Sequence, residues 1–323
     1  MLNSPGARGP SIRQTVNMIS LKQLRYFDAV AKAGHFGKAA ERCAITQPAL
    51  SMQIHDLEQE LGTPLLERSA KGVILTDTGR EIAVRAAQIL SEVRDLTDSA
   101  RRQSKGFAGP LRLGVIPTIA PYLLPPLLPQ LRERYPELDL HLRETQTQHL
   151  LAELNDGKLD LLLLALPIES PNIETIRLFD DRFMLATAPD RPLGRQVRVT
   201  IEMLQQDRLL LLEEGHCLRD QVLEFCDLRP TGNLDLSGAS SLSTLVQMVV
   251  NGLGITLLPE LSLSVERRQG PIKLLRFAEP EPMRTIGLAW RQSSPRKQDF
   301  MELGNLMTDV AATHRRATAQ GEE

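Results

Sequence analysis

Residues 21–79 read LKQLRYFDAVAKAGHFGKAAERCAITQPALSMQIHDLEQELGTPLLERSAKGVILTDTG. Leu24, Phe27 and Ala31 recur at helical spacing and stop at Gly34, and Ala39, Ala40 and Cys43 form the inward side of a short second helix. A third helix follows a tight break. Thr46 supplies an N-cap oxygen, Pro48 stands in the first turn where a missing N–H does no harm, and Leu50, Ile54, Leu57 and Leu61 make its inner face. The opposite stripe, Gln47, Ser51 and His55, recurs every fourth residue and is polar. Next, Leu65–Ser69 and Val73–Leu75 flank Ala70-Lys71-Gly72, two short strands with glycine at the turn. Three helices and such a hairpin make a winged helix-turn-helix over residues 20–79.

Working outward, residues 1–19 (MLNSPGARGPSIRQTVNMI) have no apolar core, so they read as a flexible extension and not a signal peptide, with Met18 as an alternative start. Downstream, Ile82, Ala86, Ile89, Val93, Leu96 and Ala100 step by four and three on one long helix, a seam narrow enough to face a partner helix. That linker, residues 80–106, dissolves in Arg101-Arg102-Gln103-Ser104-Lys105-Gly106, a hinge.

A second module spans 107–313, with a tail at 314–323. Strand Leu111–Ile116, helix Ala120–Tyr135, strand Leu138–Leu142, helix Gln148–Leu154 and strand Asp160–Ala165 alternate as in an α/β sheet, and similar units recur at Leu209–Leu212, Leu242–Val250 and Ile255–Leu258. Strand Thr285–Trp290 and helix Asp299–Val310 return the chain toward its first sheet. Two lobes are expected, one of about 110–180 with 284–313 and one of about 181–283, with a cleft between them.

Composition restrains the functional classes. The chain of 323 residues is 42% hydrophobic, enough for several cores, and carries a net charge of −2. Residues 20–79 hold seven basic against seven acidic side chains, so nucleic-acid binding rests on geometry more than on charge. The apolar run Leu159–Ile168, broken by Asp160, is too short to span a bilayer, and a cytoplasmic protein without membrane contact is expected. Six histidines and three cysteines lack ligand spacing, so neither metal nor cofactor is expected. Asn251-Gly252-Leu253-Gly254 reads as a tight turn between helix and strand.

Cys217 and Cys226 lie in EEGHCLRDQVLEFC. Gly215 before a helix-compatible run places Cys217 at a helix start, where free N–H groups, His216 and Arg219 favour the thiolate, the form that attacks peroxide. Nine residues of helix separate the sulfurs by roughly 13 Å on opposite faces, whereas a disulfide needs Cα atoms within about 7 Å. Bridging them therefore unwinds the segment, making the bond a switch. The plain alternative makes Cys226 a small buried hydrophobe and Cys217 a bystander, as Cys43 is beside Ala39 and Ala40.

The stretch from Leu21 to Gly79, with Thr46-Gln47-Pro48-Ala49-Leu50-Ser51 and Leu65-Leu66-Glu67-Arg68, resembles the DNA-binding domain of LysR-family transcription regulators over about sixty ungapped positions. The resemblance implies a two-lobed, periplasmic-binding-protein-like α/β regulatory domain behind the linker helix. It also implies a non-enzymatic regulator, dimeric through that helix and tetrameric on promoter DNA, working with RNA polymerase. Thr46, Gln47, Pro48 and Ser51 then face DNA with His55 nearby, and Arg68 and Lys71 on the wing touch backbone or minor groove. Met52 departs from the arginine many relatives carry.

GHCLRDQVLEFC, with IPTIAPYLLPPLLPQL, LLAELNDGKLD, GITLLP and EPMRTIGL, is similar to the peroxide-responsive members of that family over most of residues 21–295. That resemblance implies hydrogen peroxide as the signal, Cys217 as the peroxidatic thiol, Cys226 as the resolving thiol, and activation of oxidative-stress genes. Thr118 and Thr147 then hydrogen-bond the peroxide, His216 and Arg284 tune the thiolate, and glutaredoxin or thioredoxin resets the bond. Thr118 as a plain helix cap and Arg284 as a surface ion-pair partner are the bland readings. Gln148-His149 and Pro230–Gly238 depart from the relatives. Two other functions stay open: a LysR regulator answering a small organic effector in the inter-lobe cleft, and a thiol peroxidase, which has no need of a winged helix.

Overall fold

A computed structural model describes residues 19–69, 72–102, 107–191, 198–204, 207–226 and 238–320, in two compact units that meet in the chain between Ser91 and Glu92. The first unit holds α1 (Leu21–Ala33), α2 (Phe36–Arg42), α3 (Gln47–Leu61), strands β1 (Leu66–Ser69) and β2 (Gly72–Leu75), and the start of α4 (Asp77–Arg102).

Local chemistry sets each boundary. Ser20 and Gln23 form a reciprocal capping box on α1, Gly34 closes it in the left-handed conformation, and Thr46 Oγ1 accepts from Ala49 N at the start of α3. Leu50, Ile54 and Leu57 of α3 are buried against Leu24, Phe27 and Val30 of α1. The antiparallel wing is tied to α3 because Glu58 Oε1 accepts from Leu65 N at 2.8 Å and Leu66 N at 3.1 Å.

α4 divides the predicted seam. Ile82 and Ala86 pack into the small core of their own unit, with Ala83 and Leu90 beside them, because the winged-helix core needs a lid. Ile89 and Leu96 are left 41% and 72% exposed. The side chain of Ala100 and the hinge residues 103–106 lie outside the described residues.

The second unit follows with β3 (Gly109–Val115), α5 (Ala120–Arg134), β4 (Leu138–Glu144), α6 (Thr147–Asn155), β5 (Leu161–Leu166), β6 (Ile173–Thr187), β7 (Arg198–Val199), α7 (Ile201–Leu204), α8 (Cys217–Phe225), α9 (Leu242–Val250), β8 (Thr256–Pro259), α10 (Leu263–Glu266), β9 (Lys273–Phe277), β10 (Met283–Arg291) and α11 (Lys297–Gln320). One sheet runs β4-β3-β5-β10-β6-β9-β7, with β8 also on β6. β3, β4 and β5 are parallel, and β10 returns antiparallel between β5 and β6. The run Leu161–Ala165 is buried throughout because helices cover both faces of a parallel strand. The long β6 pairs with β10 over its first part and with β8 and β9 over its last, so it passes from one half of the sheet to the other.

One expected strand differs. Leu209–Leu212 are all buried but make only single bridges, Leu209 to Ile255 and Leu212 to Ala239. Their apolar run reflects core packing and not a ladder. Among the described residues no helix is long and apolar enough to cross a membrane.

Candidate functional site

α3 carries its polar stripe on the side away from its buried face. Thr46, Gln47, Pro48 and His55 are exposed and Ser51 is half-buried. Gln47, Pro48 and Ser51 line an open groove of about 550 Å³ with His35, Phe36, Gly72 and Val73, and Ser51, Met52 and His55 line a second, of about 470 Å³. The far wall of the first groove, His35 and Phe36, was not apparent from the chain. His35 is the N-cap of α2, its Nδ1 accepting from Gly37 N at 3.0 Å. Arg68 places its backbone on β1 opposite Val73, while its side chain and all of Lys71 lie outside the described residues.

The second constellation is built at the carboxyl ends of the parallel strands, where α/β sheets gather polar groups. Thr118 stands in the turn from β3 to α5, Thr147 opens α6 after β4, Cys217 opens α8, and Arg284 lies on β10. Arg284 is 2% exposed. Its Nη1 donates to Thr118 Oγ1 at 2.8 Å and its Nη2 to Thr118 O at 3.0 Å, while Nε and Nη2 both donate to Asp181 Oδ2, at 3.0 and 2.9 Å. The surface-partner reading of Arg284 and the capping reading of Thr118 therefore fail. α5 has Ile119 at its N-cap position with no side-chain cap bond, because the Thr118 oxygen is taken by the guanidinium.

Cys217 begins α8 as its sequence implies, and opposing influences act on its thiol. The residue is half-buried, yet desolvation around the sulfur pushes the thiol up. The Arg284 charge, the Thr147 hydroxyl and the Leu218 N–H pull in the other direction, and Asp220 adds to the rise. Arg284 does not win because Asp181 already neutralises it. Arg219 was expected to contribute positive charge; its Nη1 donates to Leu212 O at 3.1 Å, and the cation that acts on the sulfur is Arg284. His216 is buried, which lowers its pKa and so disfavours its charged form. Thr147 Oγ1 is near enough to favour the ionised sulfur but outside hydrogen-bond geometry, and it is buried with no hydrogen-bond partner among the described residues.

Cys226 is fully buried at the C-cap of α8, its N–H bonded to Val222 O at 3.0 Å, and its thiol is pushed up to about 11 by burial. Both thiols are free, at opposite ends of an intact helix whose Leu218 and Val222 sit in the core. Residues 227–237, including most of the divergent Pro230–Gly238 stretch, lie outside the described residues. Cys43 is the half-buried C-cap of α2. Among the described residues there is no group of side chains suited to a metal ion.

Two groups escaped the sequence reading. Asp181 is fully buried, and its Oδ1 also accepts from Leu261 N at 2.9 Å. The signal was period two: Asp181 alternates with Phe179 and Phe183 on the apolar side of β6. Gly215 has φ +93°, and a Cβ there would lie 2.6 Å from Gln146 Oε1, while Gln146 Nε2 donates to Glu214 O at 3.4 Å. Gly215→Ala is thus expected to destabilise the second unit by about 1–2 kcal/mol through backbone strain alone. Urea unfolding followed by the chain's single tryptophan, Trp290, checks it; an unchanged midpoint refutes it.

Residues 21–80 match the bacterial regulatory helix-turn-helix of the lysR family, and residues 104–311 match the LysR substrate binding domain. The chain is 46% identical over 295 residues to a probable hydrogen peroxide-inducible genes activator of Streptomyces viridosporus, covering 90% of this chain and 94% of that protein. It is 42% identical over 285 residues to the DNA-binding transcriptional dual regulator OxyR of Escherichia coli, covering 88% and 93%. Full-length OxyR of Pseudomonas aeruginosa, as a cysteine variant, superposes with a TM-score of 0.74 at 37% identity, covering 90% of this chain and 95% of that one. A hydrogen peroxide-bound OxyR mutant of Corynebacterium glutamicum gives 0.65 at 37%, covering 94% and 98%. With both of its units matched, this chain belongs to the LysR family of bacterial regulatory proteins.

Proposed function

We propose that this protein is a cytoplasmic, DNA-binding transcription regulator that senses hydrogen peroxide through Cys217 and records it as a reversible Cys217–Cys226 disulfide. The observation that carries this reading is the buried Thr147 hydroxyl, without a hydrogen-bond partner among the described residues, beside the Cys217 thiol and the Arg284–Thr118 pair. An unsatisfied buried hydroxyl is costly unless a ligand completes it. The Thr118 oxygen accepts from Arg284, so its proton is free to donate; a small molecule with two adjacent oxygens suits two such hydroxyls. A relative named as a probable hydrogen peroxide-inducible genes activator and a hydrogen peroxide-bound OxyR mutant support the same ligand.

In the first step the Cys217 sulfur, giving up its proton, attacks one peroxide oxygen. An S–O bond forms, the O–O bond breaks, and the departing hydroxide takes the proton as water. Arg284 stabilises the thiolate while Thr118 and Thr147 hold the oxygens. The sulfur has lost two electrons and is a sulfenic acid. In the second step the Cys226 sulfur attacks it, the S–S bond forms and the S–O bond breaks, releasing a second water. α8 separates the sulfurs by about 13 Å, so the second step requires it to unwind and draws Cys226 out of the core. A dithiol protein of the glutaredoxin or thioredoxin type returns two electrons and two protons.

On the DNA side, Thr46, Gln47, Pro48 and Ser51, with His55, face the major groove, and Arg68 and Lys71 address the backbone or minor groove. The exposed Ile89 and Leu96 of α4 support dimerisation through that helix, with pairs of dimers on promoter DNA and RNA polymerase as the downstream partner.

Peptide mapping after brief exposure to near-stoichiometric hydrogen peroxide tests the core of this reading. Wild type is expected to link Cys217 to Cys226 in a dithiothreitol-reversible bond, and Cys217→Ser to lose both the bond and any redox-dependent DNA footprint. Slow oxidation spread over all three cysteines would falsify it and point to a small organic effector.

A further inference from the structure

α6 joins two sets of contacts, one at each of its ends. At its start, Gln146 is bonded to Glu214 and touched by Gly215, and Thr147 lies beside Cys217. At its end, Leu154 O accepts from Arg291 Nη1 at 2.9 Å, and the same nitrogen donates to Leu159 O at 2.6 Å. Arg291 Nη2 reaches both carboxylate oxygens of Asp95 at 3.4 Å and lies 3.9 Å from Asp160 Oδ1. Asp95 is on α4, and its neighbour Arg94 donates from Nη2 to Asp156 O at 3.2 Å, in the turn that closes α6. Two consecutive residues of α4 therefore hold the far end of a helix whose near end touches the thiol.

A hydrogen-bonded helix of nine residues transmits a displacement along its axis with little loss. The grip at its far end is built to respond. The Arg291 and Asp95 side chains are only 8% and 15% exposed, yet their bonds are long, and Arg291 Nε is buried with no partner among the described residues. Such a guanidinium is shared between α6 and α4 and saturated by neither, and bonds at this length weaken steeply with a further small shift.

We propose that Arg291 and Asp95 couple the redox centre to α4: disulfide formation removes Cys217 from Thr147, α6 shifts, and Arg291 passes the shift to Asp95. The inference rests on the redox reading above, and its test separates the two. Full-length wild type, Asp95→Asn and Arg291→Lys are compared, using a DNA fragment selected in vitro by oxidised wild type. Three quantities are read: the rate of the Cys217–Cys226 bond on peroxide addition, and DNA affinity in the reduced and in the oxidised form. Both variants are expected to form the bond within twofold of the wild-type rate, while the ratio of oxidised to reduced affinity falls at least fivefold toward one, within the usual range of coupling between sites. Asp95→Asn is isosteric, so the test stands even where Arg291→Lys does not fold. An undiminished ratio in Asp95→Asn overturns the coupling and leaves the redox reading in place. Bond formation slowed more than tenfold also overturns it, because the pair then serves the thiol chemistry. A wild type that forms no bond overturns both.

Discussion

Arg284→Met is expected to destabilise the second unit by about 3–5 kcal/mol, because it leaves Asp181 charged, buried and without its cation. The geometry makes the loss large. Both carboxylate oxygens of Asp181 are committed, one to Arg284 and one to Leu261 N, and neither side chain of the ion pair has any exposed surface through which water replaces the lost partner. The companion variant Arg284→Met with Asp181→Leu is expected to recover most of that loss, since replacing both members of a buried pair by apolar groups is often close to neutral. Recovery stops short of wild type by about 1–3 kcal/mol because the Leu261 N–H is then unpaired. Urea unfolding is read from Trp290, which shares β10 with Arg284. A single variant within 1 kcal/mol of wild type, or a double variant no better than the single, would show that the pair is not the keystone proposed.

The second large effect is on rate. The second-order rate constant for oxidation of Cys217 is expected to climb steeply from pH 6 to pH 9, by about tenfold per unit, without a plateau at neutral pH. The sign follows from the direction of the shift. Burial favours the protonated thiol, the thiolate is the reacting form, and each unit of pH below the thiol pKa removes about nine-tenths of it. Asp220→Asn removes a charge that opposes ionisation, and so is expected to shift the whole profile to lower pH and speed the reaction at pH 7. Stopped-flow measurement with peroxide in excess, on protein whose Cys226 is replaced by Ser, isolates the first step. A rate that levels off below pH 8 would mean that Arg284 outweighs desolvation and that Cys217 rests as a thiolate. Burial pushes the His216 pKa below its usual value, so its titration lies toward the acidic end of this profile.

How much of this was legible in the chain varies by element. Helix α3 was, down to its cap: Thr46, Pro48 and the Leu50, Ile54, Leu57 face are local patterns that depend on residues within one or two turns. The start of α8 at Cys217 was legible for the same reason. The heptad seam was legible only as a stripe, because a stripe does not state its partner; Ile82 and Ala86 serve their own core while Ile89 and Leu96 face outward. Leu209–Leu212 looked like a strand because buried apolar runs look alike whether or not they join a ladder.

By itself, then, the sequence determined what is set by neighbours along the chain: the caps and faces of the winged helix, the buried run of β5, the helix position of Cys217, and the nine-residue spacing that forbids a disulfide without unwinding. Tertiary structure alone decided the surroundings of the thiol, because these depend on Thr147 of α6 and on Arg284 of β10 with its partner Asp181 of β6, brought together by the fold. Asp181 pairs with Arg284 from 103 positions away, Arg219 turns to a carbonyl, and burial lowers the His216 pKa. Local sequence lists which charges are nearby in the chain, whereas burial and long-range pairing decide which of them a buried sulfur feels.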